Sequence, residues 1–334
     1  MRKKLRIVAR VHAMPPEHNA GAEHMLTVML QALVERGHDV QVWLSQYGGL
    51  REPYTYQGVQ VIPQAARLDF AAVARRADIL MSHLECVPTT ASIARGFGRP
   101  MVVICHNDHR PTLRDMAAGG TALGVYNSQW MRAEAELFLA EYPSAVRPVR
   151  EIIVRPPVHA ERYATKPGGA ITLINCSVDK GALLFGELAR RMPDQQFLAV
   201  RGAYGEQVIP DLPNVEVVDH VAGEEMAARV YRQTRVLLMP SVYESWGRAG
   251  VEAMASGIPV LAHPTPGLCE SLGDAGLFAD RADPDAWQSM LERLLNEPAE
   301  YRLASKRARS RSAELDPRPD LEAWCAAVEE VARA

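Results

Sequence analysis

The chain predicts an α/β protein made of two doubly wound halves, and three observations carry that expectation. Short β-branched apolar runs alternate with helix-length segments along almost all of its 334 residues. The runs are near-continuously apolar rather than alternating in polarity, which suits parallel strands covered on both faces. The alternation is interrupted by the stiff pair Pro156-Pro157 and then resumes, so one half ends near residue 155 and another begins.

In the first half, a strand at 5–11 leads through a Pro/Gly-rich loop at 15–21 into a helix at 22–36. Gly37 ends that helix and a strand at 39–44 follows, completing one βαβ unit. Strands at 59–62, 79–82, 101–105 and 124–127 alternate with helices at 69–76, 89–97 and 128–139. Segments 46–56 and 107–122 read as loops. After 152–155 and the proline pair, the second half reads as strand 171–175, helix 182–191, strands 196–201 and 215–218, helix 224–233 and strand 236–240. A helix after Glu244, strands 259–263 and 277–279 and a helix at 284–296 complete it. A last helix at about 320–332 follows Pro317 and Pro319. The expected division is 1–153, 154–316 and a terminal helical segment 317–334. In open sheets of this kind ligands bind beyond the carboxyl ends of the strands, so a cleft between the halves is the expected site.

Composition excludes several classes. With 48% hydrophobic residues, 23% charged residues and a net charge of −3, the chain is an ordinary globular one with no global electrostatic case for nucleic acid. Cys86, Cys105, Cys176, Cys269 and Cys325 are scattered without a CxxC pair. They read as reduced thiols of a cytoplasmic protein with no structural zinc site. The basic start precedes a short strand rather than a signal-peptide core, and no apolar run reaches membrane-spanning length. Peripheral membrane contact stays open. No G-x-G-x-x-G follows the first strand, and the P-loop, nucleophile-elbow and zinc-helix motifs are absent.

The most informative stretch is 244–260, Glu-Ser-Trp-Gly-Arg-Ala-Gly-Val-Glu-Ala-Met-Ala-Ser-Gly-Ile-Pro-Val. Two carboxylates, Glu244 and Glu252, bracket a Gly-rich start of a short helix that Gly257 and Pro259 end. A helix start leaves N–H groups unpaired and carries partial positive charge, so Gly247, Arg248, Ala249 and Gly250 offer a seat for phosphate. One carboxylate is then placed to face a sugar and the other to accept from a ribose diol. A bare pair of Glu at this spacing is usually a solvated helix face, but the surrounding residues make the match specific.

This run resembles the E-x7-E signature of retaining glycosyltransferase family 4, whose fold is GT-B: two Rossmann-like domains facing each other across a cleft. The likeness extends along nearly the whole chain and is most specific at 244–260. It implies a first domain that binds the acceptor, a second that binds the nucleotide-sugar donor, and a terminal helix that packs back on the first. It implies no cofactor and no metal, because fixed positive groups stabilise the departing diphosphate. Lys180, in Asp179-Lys180-Gly181, stands where the family places its donor-phosphate lysine, although most such dipeptides are solvated turns. The family's Arg five residues earlier is Asn175 here, and an amide supplies no charge, so Lys180 acts with less help or Arg201 or Arg248 substitutes. The loop Asn19-Ala20-Gly21-Ala22-Glu23 resembles the family's Gly-Gly-Ala-Glu loop with Ala20 in place of the first Gly, which puts Gly21 near the donor.

His106, at the end of strand 101–105, matches a family histidine that contacts the donor sugar. A lone histidine at a strand end is more often a buried polar group. His83 points to the same rim and, with Asp108, His109 and Arg110, is a candidate for the acceptor side. His220 and Val221 lie where the family reads the nucleotide base through backbone groups, so the base is not legible from side chains. Glu270, beyond the loop 264–267, either binds a hydroxyl or begins a helix. The resemblance thus implies metal-independent sugar transfer with retention, from a nucleotide sugar to an unidentified acceptor. The rivals are an epimerase on the same fold and a catalytically weak nucleotide-sugar-binding protein in which Asn175 and Ala20 mark decay.

Overall fold

The computed structural model describes residues 3–18, 20–46, 49–117, 119–203 and 205–333. The chain divides into two compact units, one running to Pro157 and taking up the chain again from Pro317, the other spanning Val158–Asp316.

The first unit begins with β1 (Arg6–Val11), α1 (Gly21–Glu35) and β2 (Asp39–Leu44). Along α1, Met25, Leu26, Met29, Leu30 and Leu33 recur at helical spacing and are buried, and Gly37 takes φ +96° just past its end. Then come β3 (Tyr54–Tyr56), β4 (Val59–Ile62), α2 (Phe70–Arg76), β5 (Ile79–His83), α3 (Val87–Phe97) and β6 (Met101–Cys105). The series continues with α4 (Arg110–Met116), β7 (Thr121–Tyr126), α5 (Gln129–Leu139) and β8 (Arg150–Ile153). Asp69 caps α2 and Ser128 caps α5, each accepting a backbone N–H of the first turn. The sheet order is β3-β4-β2-β1-β5-β6-β7-β8, parallel except where β3 pairs antiparallel with β4. The chain winds to one side of β1 and then to the other, so the order reverses between β1 and β5.

The second unit holds α6 (Ala160–Tyr163), β9 (Ala170–Ile174), α7 (Ala182–Arg191), β10 (Phe197–Val200), β11 (Val215–Val218) and β12 (Thr234–Met239). It continues with α8 (Arg248–Ala255), β13 (Val260–Ala262), α9 (Pro266–Leu272), β14 (Leu277–Phe278), α10 (Pro284–Asn296) and α11 (Pro298–Glu314). The order β11-β10-β9-β12-β13-β14 is parallel throughout and reverses between β9 and β12. The chain ends with α12 (Arg318–Val331), which returns to the first unit. Trp324, Cys325 and Val328 enter the same core as Met29 and Leu30, and the Trp324 indole donates to the Met29 carbonyl at 2.9 Å. Asp320 accepts from both the backbone N–H and the guanidinium of Arg155.

The structure corrects several expectations. The unit boundary falls at Pro157, past the expected 153, because Asp320 holds Arg155 to the first unit. The helix expected at 224–233 is a 3-10 turn, Gly223–Glu225, followed by a π-helical turn, Ala227–Tyr231. The expected loops 46–56 and 107–122 contain β3 and α4. The expectation omits α11 altogether. Its buried positions are largely small, Ala304, Ser305, Ala308 and Ser312, amid arginines, so no apolar stripe betrays it. Glu270 lies within α9, the helical alternative of its two readings. Among the described residues no helix is long and apolar enough to cross a membrane.

Candidate active site

In the second unit the loops after β9 and β12 leave the sheet on either side of the strand-order reversal, where open α/β sheets bind ligands. Lys180 comes from the first loop and Glu244 from the second, and they meet: Nζ lies 2.5 Å from Oε1. Ser241 donates to the same oxygen at 3.0 Å. The Lys180 ammonium stays partly open, with 30% of its side chain exposed. Gly181 follows at φ +96°, and a Cβ there would come 2.2 Å from Pro240 Cγ, so glycine is required for the two loops to approach.

The helix after Glu244 starts at Gly247, φ +81°, and no side chain caps its first turn. That leaves N–H groups of α8 for a ligand, as expected. Its glycines also have a packing role. A Cβ on Gly247 would come 2.3 Å from Leu268 Cδ2, and one on Gly250 would come 2.9 Å from Leu272 Cδ2. Their smallness therefore serves packing against α9. Ala249 is half-buried beside them. Gly21, the first residue of uncapped α1, is the reverse case: it is exposed, and a Cβ there would meet no protein atom within 4 Å.

Glu252 sits just over one turn into α8 and is buried, 6% exposed. The Tyr231 hydroxyl donates to its Oε2 at 2.7 Å, and Arg248 Nε lies 3.0 Å from Oε1. Arg248 also donates to the Tyr163 hydroxyl at 2.7 Å. Burial raises the Glu252 pKa above the usual carboxylate value, opposed incompletely by the Arg248 charge and by the tyrosine hydrogen bonds. Arg248 is thus engaged with Glu252 and Tyr163, which argues against its service as the missing phosphate cation.

Asn175 begins the loop that carries Lys180. It follows β9 with φ +66°, a left-handed conformation that asparagine tolerates, and its Oδ1 accepts from Ser177 N–H and from Gln207 Nε2. Gln207 Oε1 accepts from Cys176 and Gly202 N–H groups. Asn175 therefore organises this loop through its Oδ1. Arg201 is exposed and pairs with Asp219 at 3.4 Å. The His220 side chain is exposed while Val221 is in the core.

In the first unit the equivalent reversal lies between β1 and β5, and histidines gather at these strand ends. His83 Nδ1 and His106 Nε2 share a hydrogen bond of 2.9 Å. The His12 ring lies 5.4 Å from that of His83, and His12 Nε2 is 3.0 Å from Glu23 Oε1. Burial pushes the His106 pKa down to about 4, the neighbouring Glu23 opposing and His12 adding, so the ring is neutral near pH 7. Burial likewise holds His83 well below the ordinary value, with the His106 and His12 charges adding. His83 is fully buried among these rings, which removes it from the acceptor-facing surface where the sequence placed it. His109 and Arg110 line a groove with Glu85, Asn107, Thr112 and Asp115, and Asp108 is half-buried between them and His106.

The sequence reading did not name Tyr163, Tyr231 or Gln207, which hold Glu252 and the loop after β9, nor His12 and His18. Only tertiary structure assembles these groups. A His-x5-His-x4-Glu spacing across 12–23 was the one available hint.

Residues 184–297 match the family described as glycosyl transferases group 1, and this stretch contains Glu244 and Glu252. The chain is similar to an MMP alpha-(1->4)-mannosyltransferase of Mycolicibacterium hassiacum, 35% identical over 116 residues, which is 33% of this chain and 28% of that protein. It is also similar to a D-inositol 3-phosphate glycosyltransferase of Corynebacterium urealyticum, 40% identical over 76 residues, 22% of this chain and 18% of that one. The likeness to each of these curated relatives thus spans less than a third of the relative's length. Solved structures agree over almost all of the chain. The sucrose-phosphate synthase of Thermosynechococcus elongatus superposes with TM-score 0.76 at 17% identity, covering 98% of both chains. Anabaena HepE, solved with UDP-glucose, gives 0.75 at 16% identity over 97% of this chain and 100% of that one. At such identities the likeness establishes the fold, which is GT-B.

Proposed function

We propose, for a chain whose residues 184–297 match the glycosyl transferases of group 1 and whose fold is GT-B, that it moves a glycosyl group from a nucleotide sugar to a separate acceptor, with retention of anomeric configuration and without a metal ion. The observation that carries this reading is the meeting of Lys180 and Glu244 at the strand-order reversal of the second sheet, ahead of the uncapped start of α8. A cation balanced by one carboxylate is held ready for a more highly charged partner. When the diphosphate binds, the ammonium turns to it, and Glu244 is released toward the sugar hydroxyls. Charge on the diphosphate grows as the bond from the anomeric carbon to phosphate oxygen breaks, so Lys180 and the α8 N–H groups stabilise the transition state more than the ground state. The acceptor oxygen bonds to the anomeric carbon on the face the diphosphate leaves, and the acceptor proton passes to the departing phosphate oxygen. Glu252 accepts from the ribose diol beside its existing partners Tyr231 and Arg248. Gly21, with open space around it, lets the donor approach α1. His106 is neutral and so serves the donor sugar as a hydrogen-bonding group, while the groove of His109 and Arg110 takes the acceptor.

Uridine diphosphate sugars are the first donors to test, because HepE was solved with UDP-glucose. We place the protein in the cytoplasm. The protein is incubated with a panel of nucleotide sugars and candidate acceptors, in EDTA and in Mg²⁺. The reading expects release of nucleoside diphosphate coupled to a glycosylated acceptor of the donor's anomeric configuration, at equal rates in both media. An isomerised donor without acceptor identifies an epimerase. Binding without turnover identifies a binding protein, and loss of turnover in EDTA overturns metal independence.

A further inference from the structure

We infer that His12, His18 and Glu23 form a binding site for one transition-metal dication of the zinc type in the first unit, apart from any step of sugar transfer. The three residues come from the end of β1, the loop after it and the first turn of α1. Their ligating atoms all lie within 4.8 Å of one another, and His12 Nε2 is 3.0 Å from Glu23 Oε1. Zinc bonds to imidazole nitrogen and carboxylate oxygen run about 2.0–2.1 Å, so a tetrahedral pair of such ligands sits roughly 3.3 Å apart. The His12–Glu23 pair already stands near that spacing, and no separation in the group exceeds 4.8 Å.

The second observation is the state of Glu23. Its side chain is 2% exposed, and Oε2 is buried without a hydrogen-bond partner among the described residues. A His–Glu ion pair satisfies one carboxylate oxygen and strands the other, and a buried charged acceptor left so is unfavourable. A cation between the carboxylate and both imidazoles removes that deficit. The far nitrogen of His12, Nδ1, is buried without a hydrogen-bond partner among the described residues, with the Glu85 carboxylate 3.9 Å away. Two imidazoles and one carboxylate favour zinc, copper or nickel over magnesium or calcium, which prefer all-oxygen sets. Three protein ligands leave a fourth position for water.

The test uses the full-length protein, stripped with EDTA and titrated with Zn²⁺ against a chromophoric chelator. One ion per chain is expected to bind with a dissociation constant below about 1 μM. Co²⁺ in its place should give the absorption of a nitrogen- and oxygen-ligated tetrahedral ion without a thiolate charge-transfer band, which separates this site from exposed Cys269. Glu23→Gln and His18→Ala should each weaken binding at least tenfold, since even residues behind metal ligands change affinity 10- to 100-fold, roughly. Cys269→Ser should leave it unchanged. Far-ultraviolet circular dichroism checks folding, and His18, on a loop, remains informative should Glu23→Gln fail to fold. Binding no tighter than that of a scattered surface histidine, a thiolate spectrum, or affinity indifferent to both substitutions overturns the inference. None of these outcomes depends on transferase turnover.

Discussion

At Lys180 the choice is between a cation that works on the diphosphate and a turn lysine held by its neighbour. Lys180→Ala is expected to lower kcat roughly 100- to 1,000-fold, more than it raises the donor KM, because a preorganised charge is worth most where charge grows. A turn lysine would change kcat/KM by no more than about twofold, the usual ±0.5 kcal/mol of a surface substitution. Glu252 offers a sharper residue-scale test, because burial raises its pKa above 4.5 despite Arg248. For a carboxyl raised on folding, stability is fully present below the unfolded value and is lost as pH rises through the folded one. Glu252→Gln escapes that loss. It should melt like the wild type below pH 4.5 and at least as high at pH 7. Its affinity for the nucleoside diphosphate should nevertheless fall by about tenfold or more, as loss of a charge-assisted hydrogen bond implies. Calorimetric titration and melting curves across pH read both. A variant that loses stability at pH 7 without losing affinity would make Glu252 a purely structural group.

Among the elements, the helix starts carry the prediction. Gly247 has a left-handed backbone and a packed Cβ direction, so Gly247→Ala should cost about 1–3 kcal/mol in urea unfolding and displace the first turn of α8, weakening nucleotide binding as well. Gly21→Ala should leave the unfolding midpoint unchanged, because its Cβ would enter open space, yet impair turnover of the nucleotide sugar. If turnover is also unchanged, no ligand approaches α1 there. These elements were also where the sequence was most and least legible. The strands other than β3, and α1, α5, α8 and α10, declare themselves through apolar runs, caps and Gly or Pro stops. Helix α11 does not, since its buried face is made of Ala and Ser. The loop after β12 could be read as carrying Glu244 because the 244–260 run lies there, and Lys180 by its place in Asp179-Lys180-Gly181, but their pairing depends on strand order. Asn175 was read as a missing charge, whereas its φ of +66° and its bond to Gln207 are properties of the folded loop alone.

For the whole molecule, the division of the chain into two units predicts two separable stabilities. The terminal helix α12 belongs to the first unit's core, although 159 residues of the second unit (316 − 158 + 1) separate it in sequence from that unit's other elements. Trp324 is fully buried there and donates to the Met29 carbonyl. Trp324→Ala should remove about 3–5 kcal/mol from the first unit and leave the Met29 carbonyl without that donor. On the proposed reading, nucleotide binding draws on Lys180, α8 and Glu252, all in the second unit. A ligand that binds one folded unit raises that unit's transition by mass action. Differential scanning calorimetry of the variant should therefore show the first unit's transition moved to lower temperature. The upward shift produced by saturating nucleoside diphosphate should persist in the other transition. If the substitution abolishes that shift while the second unit still melts cooperatively, the nucleotide site depends on the first unit, and its assignment to Lys180, α8 and Glu252 alone is wrong.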